Sequence, residues 1–195
     1  MKLYGTTTSP YVRRVRIVAA EVGEPVELVN TAPEAGQAAL QKITPIRKVP
    51  IAIVGDRTLF DSRVIIDWLV TFHGHGELEP SRDRWRDANI VNAIDAAVDS
   101  VIQVFYLRRD AIEAPAFAQR QLDRADAIFA WLGTQLGPGG ESFAHGFGLA
   151  ELSLVCALDW MEFRQVYPIE RAAGVAGIRV AWNERPSVVA TRPHA

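Results

Sequence analysis

The apolar pattern changes character once along the chain, and that change divides it. In the first part short apolar runs alternate with amphipathic stretches. Residues 2–5 read as a brief strand. From Pro10 to about Glu21, Val12, Val15 and Ala19 recur at helical spacing with Val22 just beyond, and Gly23 supplies the stop. Residues 26–30 (VELVN) form a second strand, and residues 34–43 an Ala-rich helix closed by Thr44-Pro45. Two β-rich runs, at 49–54 and 58–60, flank Gly55-Asp56 and read as a hairpin. Asp61-Ser62 then opens a helix carrying Val64, Ile65, Trp68, Leu69 and Phe72. The predicted order β-α-β-α-β-β-α is a small α/β unit with a mixed sheet.

Residues 76–81 lie in a Gly/Pro-containing linker, and everything from Arg82 onward reads helical. Ile90, Ile94, Ala97, Val101 and Phe105 track one face of a long helix. Leu122, Ala125, Phe129, Leu132 and Leu136 keep the 3,4 spacing of a bundle seam. Residues 149–163 (LAELSLVCALDWMEF) are apolar on almost every side, as the central helix of such a bundle must be. A further short helix is expected around 175–185, before Pro186. Two domains are therefore expected: an α/β domain over residues 1–75 and an all-α domain over 82–195.

Composition narrows this picture without redirecting it. A 195-residue chain with 49% hydrophobic and 23% charged residues has enough apolar content for real cores. A net charge of -2 offers neither a nucleic-acid field nor a polybasic membrane surface, so neither partner is expected. No unbroken apolar run approaches the roughly 20 residues of a membrane span. Cys156 is the only cysteine, which excludes an intrachain disulfide and fits a reducing, cytoplasmic setting. Its place in an apolar helix suggests core packing rather than nucleophilic work. His73 and His75 read as a solvated helix end, and no metal is expected.

Four short stretches carry candidate chemistry. Ser9-Pro10 is first, preceded by Thr6-Thr7-Thr8 and followed by Arg13, Arg14 and Arg16. Ser before Pro at the first helical position is an ordinary N-cap and needs no function. The same hydroxyl, beside the helix N–H groups, could also hold a ligand's thiolate. Val49-Pro50 is second. A trans bond is normal here, whereas a cis bond would turn the Val49 main chain outward toward an extended peptide. Asp61-Ser62 is third, a plain cap or a pair suited to an amino-acid headgroup. Arg47-Lys48 is fourth, two solvated basic residues or the partners of a second carboxylate. Of the arginines at 13, 14 and 16, one is expected to face a ligand or a domain interface and the others solvent.

The order S-P-Y-V-R-R-V-R, then R-K-V-P, then D-S, all ahead of an all-α half, resembles the glutathione S-transferase superfamily across essentially the whole chain. The T-S-P-Y-V-R-R segment looks closest to bacterial serine-type members and shares the S-P motif of the tau class. The resemblance implies a thioredoxin-like N-terminal domain plus an all-α helical-bundle C-terminal domain. It places Ser9 at the serine-type catalytic position, which the omega class fills with cysteine, with Thr7 or Thr8 as substitute donors. Val49, before a cis Pro50, would pair with the cysteinyl backbone of glutathione, and Lys48 would approach its glycine carboxylate. Asp61 and Ser62 match the pair that binds the γ-glutamyl end.

The implied activity is detoxifying conjugation of glutathione to a small, mostly apolar electrophile by a homodimer. Other glutathione-dependent reactions, or a non-catalytic binding role, are the alternatives. The second substrate is expected between the domains, near Tyr11, Phe105 and Tyr106, with only one of the last two reaching it. For Trp160 and Phe163 core packing is the simpler expectation. Two departures stand out. Arg47 replaces a family glycine, so a positive φ there would be costly, and Gly148 replaces the Ser/Thr that usually caps the central helix.

Overall fold

The computed structural model describes every residue except Ala144 and Ala195, and it separates into two packed units. The first contains Met1–Leu78 together with the segment that begins at Arg185, and the second Glu79–Glu184. The helical assignment of 82–195 is thus corrected at its end. Residues from Arg185 onward pack with the α/β unit, because arginines of its first helix hold them there.

In the first unit, strands β1 (Lys2–Gly5), β2 (Glu27–Asn30), β3 (Ile51–Val54) and β4 (Arg57–Phe60) form a sheet in the order β2-β1-β3-β4. β2 runs parallel to β1; β3 is antiparallel to both β1 and β4. Helices α1 (Pro10–Glu21), α2 (Glu34–Ile43) and α3 (Ser62–His73) connect or follow the strands. Leu3, Val12, Val15, Val18, Ile51, Ile65 and Leu69 form its core. Gly5 ends β1 where a Cβ would lie 2.4 Å from Val12 Cγ2, so only glycine lets α1 settle this closely on the strand.

The register determines what this sheet presents. Tyr4 pairs with Ile51, so the end of β1 lies beside the start of β3. Ile51 also pairs with Phe60, so the end of β4 lies beside that same start. The loops carrying residues 6–9, 44–50 and 61–62 therefore all leave one end of the sheet.

None of the three arginines is simply solvated, contrary to the sequence reading. Arg13 is 2% exposed and donates to the Val188 carbonyl at 3.1 Å and to Thr191 Oγ1 at 3.4 Å. Arg16 Nη2 donates to the Ala190 carbonyl at 3.4 Å. At the other end of α1 the Glu21 carboxylate accepts from Arg185 at 2.7 and 2.6 Å, and from the Ser187 hydroxyl. Burial pushes the Glu21 carboxyl up, but the bonds from Arg185 and Ser187 outweigh it and hold the group below its ordinary range. A final short helix, α8 (Pro186–Val189), lies inside this segment and was not foreseen.

The second unit contains α4 (Arg84–Arg109), α5 (Pro115–Gly133), α6 (Leu149–Phe163), a 3-10 turn over Ile169–Val175 and α7 (Ala176–Trp182). α6 is buried from Ala150 through Met161, as its uniform apolarity requires. Leu136 falls beyond α5, so the seam there ends at Leu132. In place of a capping Ser or Thr, Glu151 reaches back from the first turn of α6. Its carboxylate accepts from the N–H of Gly148 at 3.0 Å and of Phe143 at 2.7 Å. α4 is long and apolar enough in one stretch to cross a membrane by length and composition alone, although its charged residues interrupt any unbroken apolar run. Half of that stretch is buried in the unit, with Ile90, Ile94, Ala97 and Val101 in the core.

Candidate functional site

Ser9 is the N-cap of α1, with extended backbone and Pro10 at the first helical position. Its Oγ accepts from the Val12 N–H at 3.3 Å. A cap hydroxyl uses a lone pair for that bond and keeps its own O–H for another partner. The residue is half-buried, at the end of the sheet where the three loops converge. The neighbouring threonines are differently occupied: Thr7 Oγ1 donates to the His194 carbonyl at 2.7 Å, and the Thr6 and Thr8 hydroxyls lie 3.3 Å apart.

Asp61 caps α3, and its Oδ1 accepts from the Arg63 N–H at 2.8 Å. Its φ of 75° is rare for a side chain other than glycine, a strained conformation of the kind that functional sites retain. The carboxylate itself is exposed. Ser62 is its opposite, 2% exposed, with Oγ accepting from Arg14 Nε at 2.9 Å and Nη2 at 2.6 Å. Arg14 is 3% exposed, and its guanidinium lies 5.0 Å from the centre of the Tyr11 ring. This arginine ties the start of α3 to α1; the sequence named it only as one of three, without distinguishing it from Arg13 and Arg16. The signal was available: Val12, Val15, Ile17, Val18 and Ala19 bury most sides of α1, which leaves little solvated face for three arginines.

The Val49-Pro50 bond is cis. Among the described residues nothing hydrogen-bonds to the Val49 main chain, and Pro50 is buried. Arg47 and Lys48 are exposed. Arg47 has φ 54°, so the turn keeps a left-handed conformation despite losing glycine, contrary to the expectation from its side chain. Upstream, Thr44 Oγ1 accepts from the Ile46 N–H at 3.1 Å and tightens the same turn. Ser9, Val49, Pro50, Asp61 and Ser62 thus come to one end of the sheet, with Lys48 in the adjoining turn.

The two halves of the chain match family models for the glutathione S-transferase N-terminal domain, over residues 3–77, and C-terminal domain, over residues 115–188. The chain belongs to the glutathione S-transferase superfamily. A glutathione transferase family member from Pseudomonas fluorescens Pf-5, crystallised with glutathione, superposes with a TM-score of 0.84 at 27% identity, over 100% of this chain and 99% of its own. A glutathione S-transferase from Methylobacillus flagellatus KT with glutathione bound gives 0.86 at 25% identity, covering 99% of each chain. In sequence, the chain is 27% identical to the uncharacterized GST-like protein YibF of Escherichia coli K12, over 86% of this chain and 85% of that protein. A stringent starvation protein A homolog from Haemophilus ducreyi is 34% identical over 41% of this chain, a match spanning 37% of that protein.

As a glutathione S-transferase chain, the protein divides its remaining candidates between units. Tyr11 lies in the first, beneath the Arg14 guanidinium. Phe105 and Tyr106 lie near the end of α4 in the second, their rings 5.7 Å apart, Phe105 half-buried and Tyr106 exposed. Trp160 is buried, 6.0 Å from Phe105, whereas Phe163 is exposed, so core packing describes only the first. Cys156 is buried and His73 pairs with Glu24 at 3.5 Å. Among the described residues no three His, Cys, Asp or Glu side chains gather as a metal set.

Proposed function

We propose that the protein is a glutathione transferase of the serine type, joining the glutathione thiolate to a small electrophile. The observation that carries this reading is the convergence, set by strand register, of the Ser9 cap, the Val49 main chain and the Asp61-Ser62 pair at one end of the sheet. Each suits one part of an extended γ-glutamyl tripeptide. The unpartnered Val49 N–H and C=O suit its cysteinyl backbone. Asp61 suits the ammonium, and the Ser62 N–H at the start of α3 suits the α-carboxylate. Lys48 suits the glycine carboxylate. The glutathione held by the Pseudomonas and Methylobacillus proteins supports the same assignment.

In this mechanism the thiol gives its proton to solvent, and the sulfur anion accepts a hydrogen bond from the Ser9 O–H. The α1 N-terminus adds its positive end. The sulfur lone pair then forms the bond to the electrophilic carbon. A leaving group departs with its electron pair, or the adjoining carbon takes up a proton. Serine has no sulfur for disulfide exchange, so the conjugation reading is favoured over thiol-transfer chemistry.

Homodimer formation belongs to the same proposal. Val64 and Phe72 are exposed on α3, and Phe60 is exposed at the end of the edge strand β4, apolar positions suited to a second copy.

Thiolate absorbance of bound glutathione, measured against pH for wild type and Ser9→Ala, tests the proposal. Wild type should hold the thiol near neutrality, and the variant should return it toward about 8.5. Turnover of 1-chloro-2,4-dinitrobenzene should fall about 100-fold in the variant, as for loss of one donor to a developing anion. Equal thiol titration and turnover in both proteins would refute the role given to Ser9.

A further inference from the structure

We propose that Thr7 is a positioning residue for the Ser9 hydroxyl, held in place by the main chain of His194; its catalytic consequence rests on the transferase reading above. Both residues belong to the first unit. Ser9 ends a turn whose own bonds are long. Its N–H donates to the Thr6 carbonyl at 3.3 Å, and the Thr6 and Thr8 hydroxyls lie 3.3 Å apart. The cap bond from the Val12 N–H to Ser9 Oγ is also 3.3 Å. All three exceed the usual range for such bonds, roughly 2.5–3.2 Å. Thr7 Oγ1, by contrast, donates to the His194 carbonyl at 2.7 Å, the preferred distance for a hydroxyl.

That carbonyl is a fixed point, because the segment before it is fastened along the length of α1. Glu21, the last residue of α1, accepts from Arg185 at 2.7 and 2.6 Å and from the Ser187 hydroxyl. Arg13, near the other end of the helix, donates to the Val188 carbonyl at 3.1 Å. Longer contacts of 3.4 Å, from Arg16 to the Ala190 carbonyl and from Arg13 to Thr191 Oγ1, follow the same line. Thr191 Oγ1 donates in turn to the Ser187 carbonyl at 2.8 Å. His194 Nδ1 lies 3.0 Å from the Arg192 carbonyl and, facing an acceptor, donates to it. The contacts thus run from Glu21 through Arg16 and Arg13 and finish on Thr7, two residues before the cap.

Ser9 therefore lies between two fastenings to one strip of chain, Thr7 on one side and Arg13 on the other. The turn's own long bonds hold the serine loosely, and the Thr7 bond supplies what they lack. A donor aimed at a developing anion is effective only when its place is set beforehand. The bond also spends the single hydroxyl proton of Thr7, so this residue places the donor to sulfur and does not replace it.

Thr7→Val keeps the shape and removes the donor, whereas Thr7→Ser keeps the donor, and the pair tests the proposal. Hydrogen exchange of the Val12 amide, which the Ser9 hydroxyl caps, reports where that hydroxyl sits. It should quicken about tenfold in Thr7→Val, toward the rate in Ser9→Ala, and by more than any change at the buried Leu69 amide. In Thr7→Ser it should stay within about twofold of wild type. Turnover of 1-chloro-2,4-dinitrobenzene should follow, with kcat about tenfold lower in Thr7→Val, KM for glutathione within about twofold, and kcat restored by Thr7→Ser. In a Ser9→Ala background Thr7→Val should cost no further kcat, because the residue acts through Ser9. Unchanged Val12 exchange in Thr7→Val overturns the proposal. So does an unchanged kcat where Ser9→Ala lowers it, or a kcat loss that persists without Ser9. Failure of the parent reading is separable: wild type and Ser9→Ala would then turn over equally or not at all. In that event Val12 exchange alone decides whether Thr7 places the serine.

Discussion

Helices α1 and α3 begin at the same end of the same sheet, each behind a residue able to cap it, yet the two starts are built differently. At α1 the hydroxyl of Ser9 is itself the cap, half-buried, with its oxygen on the Val12 N–H. At α3 the cap is the exposed carboxylate of Asp61, held at a positive φ, and the serine behind it is sealed against Arg14. The same residue type thus serves two ends. Ser9 is half-buried and its O–H is within reach of a visitor. The Ser62 hydroxyl is 2% exposed and sealed against a buried cation, which leaves the Ser62 main-chain N–H as the group suited to a ligand. A cap becomes a catalytic candidate when its donor stays accessible, which the residue type alone does not reveal.

Substitution should separate the two starts cleanly. Ser62→Ala removes the hydroxyl oxygen that accepts twice from a guanidinium that is 3% exposed. The cost should be about 1–3 kcal/mol of stability, read as a lowered denaturant midpoint at unchanged slope. Ser9→Ala should cost only about 1 kcal/mol, the loss of one cap, while removing most turnover. If Ser62→Ala instead left stability intact and abolished turnover, the distinction drawn between the two serines would collapse.

The third loop at this end of the sheet gives the smallest effect. Arg47 holds a left-handed conformation that costs an L-residue about 1–2 kcal/mol, against roughly 0.5–1 kcal/mol of chain entropy that glycine would lose. Arg47→Gly should therefore stabilise the protein by about 0–1.5 kcal/mol, roughly 0.7 kcal/mol at mid-range, in thermal unfolding. A clear destabilisation would show that the arginine side chain contributes more than its exposed position suggests.

The elements themselves were readable because each follows from local pattern. The β-α-β-α-β-β-α order, the buried α6 and the all-α second unit all rest on periodicities that tertiary contacts reinforce. Several features rest on contacts distant in sequence and were not readable. Arg13 and Arg16 look like surface charges until the Val188 and Ala190 carbonyls are placed beside them. The segment after Pro186 looks like an extension of the bundle until Glu21 takes Arg185 and Ser187. In the 44–48 turn the side chain argued against a positive φ, but the backbone demand of the loop prevailed. Site residues were legible as a set because their spacing resembles a family; that they meet at one end of a sheet follows from register, which spacing does not encode.

Calorimetric titration of glutathione into wild type and Asp61→Asn asks whether this end of the sheet is a γ-glutamyl site. Asparagine keeps an oxygen for the Arg63 N–H and tolerates a positive φ, so what is lost is the charge offered to the γ-glutamyl ammonium and a 3.9 Å exposed ion pair with the Arg63 side chain. Wild type should bind in the micromolar-to-millimolar range, and the variant about tenfold more weakly at nearly unchanged stability. Equal affinity in both proteins, or no binding by wild type at 10 mM glutathione (roughly the upper end of that range), would contradict that assignment.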